Sequence, residues 1–145
     1  PLEVFSAIKE ALPRDCPFGM RITGTEWEKD GIDEKEAIIF AKELQKLGCH
    51  YVCVSSGGNT PNPKIPIGPH YQVHLAKIIK QNTKMVVRAV GMITDPIKAN
   101  QTIINKEADM VAMARGFLTN PRWVWDAAKI LNYDIEVPSQ YARRF

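Results

Sequence analysis

Val86–Val87–Arg88–Ala89–Val90–Gly91–Met92–Ile93–Thr94 is a short apolar run that stops at a glycine. Asp95–Pro96 follows at once, a cap residue and then a proline suited to the first turn of a helix. A second run, Ala108–Asp109–Met110–Val111–Ala112–Met113–Ala114–Arg115, ends in the same way, at a small residue beside an arginine. Each reads as a strand that ends where a helix or loop begins. Two such ends side by side suggest a phosphate site made of backbone N–H groups and one guanidinium.

The same strand-then-helix unit recurs upstream. Leu2, Phe5, Ile8 and Leu12 have helical spacing, and Pro13 ends that helix. Phe18 to Thr23 is a predicted strand. Asp33 caps the next helix with Glu36 at the capping-box position; Ile38, Ile39, Ala41, Leu44 and Leu47 form its apolar face and Gly48 ends it. Cys49 to Ser55 is the next strand, then a polar, proline-rich loop from Asn59 to Pro69. Tyr71 to Gln81 is predicted helix, with Val73, Ala76, Ile78 and Ile79 apolar. Met85 to Val90 is strand, Pro96 to Asn105 helix, Met110 to Met113 strand and Pro121 to Leu131 helix.

The order is one helix and then four strand–helix units, with no hairpin signal. This implies an α/β fold with a parallel sheet and right-handed crossovers. A complete eight-unit barrel takes about 250 residues. The chain has 145 and no internal shift of composition, so residues 1–145 read as one unit. It is either half of a (β/α)8 barrel or a small open α/β sheet. In a barrel, the Asn59–Pro69 loop lies on the active-site face.

Composition narrows the function classes. The net charge of +3 is small and dispersed, which argues against nucleic acid or membrane as a partner. No apolar run approaches the ~20 residues of a membrane span. Three cysteines, Cys16, Cys49 and Cys53, form no disulfide-scaffold pattern and favour a reducing, cytoplasmic setting. Pro1–Leu2–Glu3–Val4–Phe5 reads as the middle of a helix rather than as a leader.

Each candidate residue has two readings. Gly91 lets a phosphate approach the backbone, or serves only a tight turn. Arg115 forks onto a phosphate, or pairs on the surface with Asp109 or Glu107. Arg21 lies within an apolar strand, so it faces a polar site or pairs with Glu26. His70 and His74 stand four apart without an acidic third ligand, which favours a solvated helix face over a metal site. Cys49 and Cys53 read as buried thiols, and Trp123 with Trp125 as core or interface.

Taken together, several motifs resemble the old yellow enzyme family. They are Gly19–Met20–Arg21–Ile22–Thr23, Asp30–Gly31, Val54–Ser55–Ser56–Gly57–Gly58, Ile67–Gly68–Pro69–His70–Tyr71–Gln72, the two strand ends above, Asn120–Pro121–Arg122–Trp123 and Gln140–Tyr141–Ala142–Arg143. The similarity is to the bacterial NADPH dehydrogenase and xenobiotic reductase branch. It runs in order along essentially the whole chain.

The resemblance implies the C-terminal half of a TIM (β/α)8 barrel, strands five to eight, binding FMN. NAD(P)H would be the reductant and an activated, enone-like C=C bond the acceptor. Arg21 would lie beside the pyrimidine edge of the flavin. Gly91, Met92, Ala114 and Arg115 would hold the FMN phosphate, with Ala114 where the family usually has glycine, and Val90 would be a further cofactor-binding residue. Arg143 would reach a neighbouring subunit's active site, and Phe145 stands where an aromatic often ends such chains.

The family's substrate-holding histidine pair and tyrosine acid come from the first half of the barrel. None of the three histidines here has a matching context, so no catalytic residue and no metal ligand are assigned, and the chain alone is expected to be inactive. Its expected partners are the missing half-barrel or a second copy of itself, in a homo-oligomer. Two rivals stay open: another phosphate-binding barrel such as a dihydroorotate dehydrogenase-like flavoprotein, and a cofactor-free half-barrel acting only in assembly.

Overall fold

The computed structural model describes every residue except Asn62 and Phe145, and only the backbone of Arg144. Phe145 therefore lies outside the described residues.

Helix α1 (Leu2–Ala11) buries Phe5 against the chain entering the sheet, where its ring stacks on Phe18 at 4.7 Å between centroids. Strand β1 (Gly19–Thr23) follows. Helix α2 (Glu34–Lys46) starts at the expected capping box: Glu36 N–H donates to Asp33 Oδ1 at 2.9 Å, and Asp33 N–H donates back to Glu36 Oε2 at 3.1 Å. Its buried face is Ala37, Ala41 and Leu44, spaced i, i+4, i+7. Ile39, expected on that face, is exposed. It sits two positions from both Ala37 and Ala41, so helical geometry turns it away.

Strand β2 is Tyr51–Ser55, shorter than expected, so Cys49 precedes it. Cys49 and Cys53 are both buried and free, and burial pushes the Cys49 thiol upward. Helix α3 (Val73–Asn82) buries Val73, Leu75, Ala76 and Ile79. Strand β3 (Val86–Val90) leads to helix α4 (Pro96–Ile104), where Asp95 Oδ1 accepts from Lys98 N–H at 2.9 Å and Pro96 opens the helix.

Strand β4 (Met110–Ala112) is followed by a five-residue helix, α5 (Arg115–Thr119), that periodicity did not reveal. It is too short to show a repeat and holds a glycine, Gly116. Helix α6 (Trp123–Ile130) and a 3₁₀ turn over Ser139–Arg144 complete the chain.

The four strands pair in chain order, β1-β2-β3-β4, all parallel. The register decides the two faces. Ile22, Val52, Val54, Val87 and Ala89 face the helices and are at most 4% exposed, forming one core with Leu44, Leu75 and Ile79. The opposite face carries Arg21, Tyr51, Cys53, Ser55, Val86, Arg88, Val90, Met110 and Ala112. There Arg21, Val86 and Met110 are exposed.

A doubly wound sheet covers both faces with helices, whereas a barrel covers only the outer one. Among the described residues the helices pack on one face alone, which fits half of a (β/α)8 barrel and not a doubly wound open sheet. Among the described residues no helix is long and apolar enough to cross a membrane.

Candidate cofactor site

A cavity of about 590 Å³ opens at the carboxyl ends of β3 and β4. That volume falls within the ~300–1,000 Å³ usual for small-molecule sites. Its walls come from the two loops quoted first above, from Arg21 and Ser55, and from Tyr71, Gln72 and Trp123. Arg21, Val90, Gly91, Met92, Ala114 and Arg115 therefore line one space, although up to 94 positions separate them in sequence.

Backbone donors converge on this space. The β3 turn runs through Gly91 at φ +119° and Met92 at φ +50°. At the end of β4, Ala114 stands at the N-cap of α5, with Arg115 as its first residue. Among the described residues, the amides of Gly91, Met92, Ala114 and Arg115 donate to no protein acceptor outside the helices and strands. Buried amides left so would be costly, whereas amides facing a cavity are available to an anion.

Gly91 is glycine for a reason that the sequence could not reveal. A Cβ there would stand 2.5 Å from Gln72 Nε2 and 3.0 Å from Tyr71 Cε1. The close approach comes from the chain's own glutamine, and the positive φ adds to the constraint.

Neither arginine takes its structural alternative. Asp109 is bound by Lys80, and Glu107 by Lys77 at 3.3 Å, so neither pairs with Arg115. Glu26 is buried and accepts from Asn59, not from Arg21. Arg21 Nη2 instead donates to Ser55 Oγ at 2.7 Å, and Nη1 lies 4.0 Å from Cys53 Sγ. Among the described residues, Arg21 and Arg115 make no ion pair. Two guanidiniums without carboxylates, beside open amides, make this space attractive to an anionic ligand.

Trp123 was expected in core or interface. It is half-buried and packs against the core as expected, and it also lines the cavity, where its Nε1–H donates to the Thr94 carbonyl at 2.7 Å, tying α6 to the β3 turn. Trp125 does behave as a packing residue: its ring lies 5.1 Å from Tyr141, and the Arg122 guanidinium sits 4.8 Å over the Tyr141 ring. This pins the C-terminal turn to α6. Arg143, two residues on, is exposed and is not part of the cavity wall.

Tyr71 and Gln72 were expected inside a helix; they form the turn before α3 and face the cavity. His74 sits 3.8 Å from Glu34 and 5.9 Å from the Trp27 ring. His70 takes a positive φ, and its partly buried ring is held below the usual histidine range by burial, with Lys98 adding to it.

The fold and the cavity define a ligand-binding β/α-barrel protein. The sequence pattern of the NADH:flavin oxidoreductase / NADH oxidase family matches residues 1–134, and the chain belongs to that family. It is 36% identical over 141 residues to an NADPH dehydrogenase of Geobacillus thermodenitrificans, covering 97% of this chain and 41% of that protein. It is 39% identical over 129 residues to an NADPH dehydrogenase of Halalkalibacterium halodurans, covering 89% and 38%. The chain thus spans about two-fifths of the length of these relatives. A solved 2-naphthoyl-CoA reductase, in complex with 2-naphthoyl-CoA, superposes over 90% of this chain and 20% of its own, with a TM-score of 0.75 at 20% identity. The family is enzymatic, with FMN as cofactor and NAD(P)H as reductant.

Proposed function

We propose that this chain is the FMN-phosphate-binding half of an NAD(P)H-dependent ene-reductase. The observation that carries the reading is the shared cavity: Arg21 and Arg115 guanidiniums with no carboxylate partner among the described residues, beside the open amides of Gly91, Met92, Ala114 and Arg115.

The residues fit the cofactor at both ends. The amides at the ends of β3 and β4 hold the phosphate, and the Arg115 guanidinium neutralises it. Ala114 in place of glycine keeps its N–H, so the donor survives. Val90 contributes to the wall beneath. Arg21, on the sheet face two residues in register from Ser55, presents positive charge to the pyrimidine edge of the ring. Charge preorganised there favours the electron-rich form of a bound ring. When bound, FMN supplies hydride transfer from NAD(P)H to an electron-poor, enone-like alkene.

In the family that the sequence resembles, the pair that holds the substrate carbonyl and the acid come from the first half of the barrel, so turnover is expected to draw on the remaining barrel units. The uncovered sheet face and the edges of β1 and β4 seek those units or a second copy of the chain. Arg143, exposed beyond the Tyr141 anchor, reaches toward the site of a neighbouring subunit.

Titration of the purified chain with FMN, followed by flavin fluorescence and visible absorption, tests the reading. Saturable binding supports it. A chain that stays colourless and does not perturb FMN contradicts it.

A further inference from the structure

Gln72 is a polar side chain at 2% exposure, and both ends of its amide are engaged. Its Nε2 donates to the Val90 carbonyl at 2.8 Å. Its Oε1 accepts from Ser56 Oγ at 2.7 Å and from Ser55 Oγ at 3.3 Å. The Ser55 hydroxyl in turn accepts from Arg21 Nη2 at 2.7 Å. A hydroxyl has one hydrogen to give and lone pairs to receive, so every bond in this series runs in one direction. It begins at the Arg21 guanidinium on β1, crosses β2, and ends on the last carbonyl of β3, directly before Gly91. Bonds in such a series polarise one another. The same Nε2 group also fills the space that a Gly91 side chain would take.

We propose that Gln72 is a positioning residue that sets Arg21 and the Gly91 turn as one unit. The two ends of the cavity then do not order separately: a ligand that fixes the turn also fixes the guanidinium. The ligand part of this inference rests on the FMN reading above. The coupling itself belongs to the chain's own hydrogen bonds and can be measured without ligand.

The test uses Gln72→Met, which keeps the length of the side chain and removes its hydrogen bonds. Nuclear magnetic resonance of the ligand-free chain follows proton exchange at the Arg21 guanidinium, with the Leu44 amide in α2 as a reference for global opening. The expected result is exchange at Arg21 several-fold faster, with Leu44 unchanged, although Gln72 does not touch Arg21. Unchanged exchange at Arg21, or acceleration at Arg21 and Leu44 by the same factor, overturns the proposal. If Gln72→Met does not fold, Ser56→Ala removes one donor to Gln72 and leaves Gln72 in place. The same selective acceleration, smaller in size, is then expected, and its absence overturns the proposal. In the FMN titration, Gln72→Met is expected to weaken binding tenfold or more. Failure of the wild-type chain to bind FMN defeats the function reading, while the exchange result still decides the coupling.

Discussion

The Arg21 guanidinium donates to the Ser55 hydroxyl at 2.7 Å, across the β1–β2 pair and two register steps along it. This bond aims a charge along the inner sheet face toward the carboxyl ends of the strands. It uses a neutral acceptor, so the positive charge is oriented without being neutralised. Arg21→Met removes the charge but keeps much of the stem. Flavin binding is expected to weaken by about 1.5–3 kcal/mol, the usual worth of a hydrogen bond to a charged group. Similar losses for FMN and riboflavin are expected, because the contact lies at the ring end. A loss confined to FMN would move Arg21 to the phosphate.

Gly91→Ala is expected to destabilise the chain by about 1–3 kcal/mol, because a side chain there combines an unfavourable φ with a collision against Gln72. Chemical denaturation measures it. An unchanged midpoint would mean that the β3 turn relaxes freely and is not the rigid cradle described above.

Asp109 links three elements: its carboxylate accepts from Lys80 on α3 and from Val87 N–H on β3 at 2.9 Å. Burial pushes this carboxyl upward, but the Lys80 bond and the Val87 N–H together outweigh burial and hold it below its ordinary value of 3.8. A depressed carboxyl contributes stability that is present above the unfolded-state value and is lost as pH falls through the folded one. Asp109→Asn is expected to cost about 1 kcal/mol at pH 7, the group being partly solvated. The difference from wild type should close as the pH falls below about 3.9. A difference that persists in acid would assign the effect to packing instead.

The uncovered sheet face gives a prediction for the isolated chain. Val86 and Met110 are exposed on it, and Arg88 lies half-buried with its Nε unbonded, its guanidinium 5.1 Å from the Tyr51 ring. Sedimentation at moderate concentration is expected to show self-association. A monodisperse monomer would show that this face is tolerated open.

The parts of this protein that were legible in sequence are those built from local signals. Asp33 with Glu36, and Asp95 with Pro96, mark helix starts through chemistry confined to one turn, and both appear as read. The parallel order follows from strands alternating with helices. Helix α5 was not legible because five residues carry no period. Gln72 was not legible because a glutamine in a helix-like run reads as solvated; only the fold brings Ser55, Ser56 and Val90 around it. Trp123 packs against the core as read, but its second role at the cavity wall was not legible, because an aromatic near a helix start has the same sequence signature in both places. That Arg21 and Arg115 keep their charge free of a carboxylate rests on where Glu26, Glu107 and Asp109 find their own partners, and those pairings are tertiary.

The central claim is that Arg115 and the amides at the ends of β3 and β4 hold the phosphate of FMN. Parallel titrations with FMN and riboflavin, which differ by that phosphate, test it most directly in the wild type and in Arg115→Ala. The wild-type chain is predicted to prefer FMN, and Arg115→Ala is predicted to lose about 1.5–3 kcal/mol of FMN affinity, roughly tenfold or more, with riboflavin affinity unchanged. Equal affinity for the two flavins in the wild type, or an unaltered preference in Arg115→Ala, would contradict it.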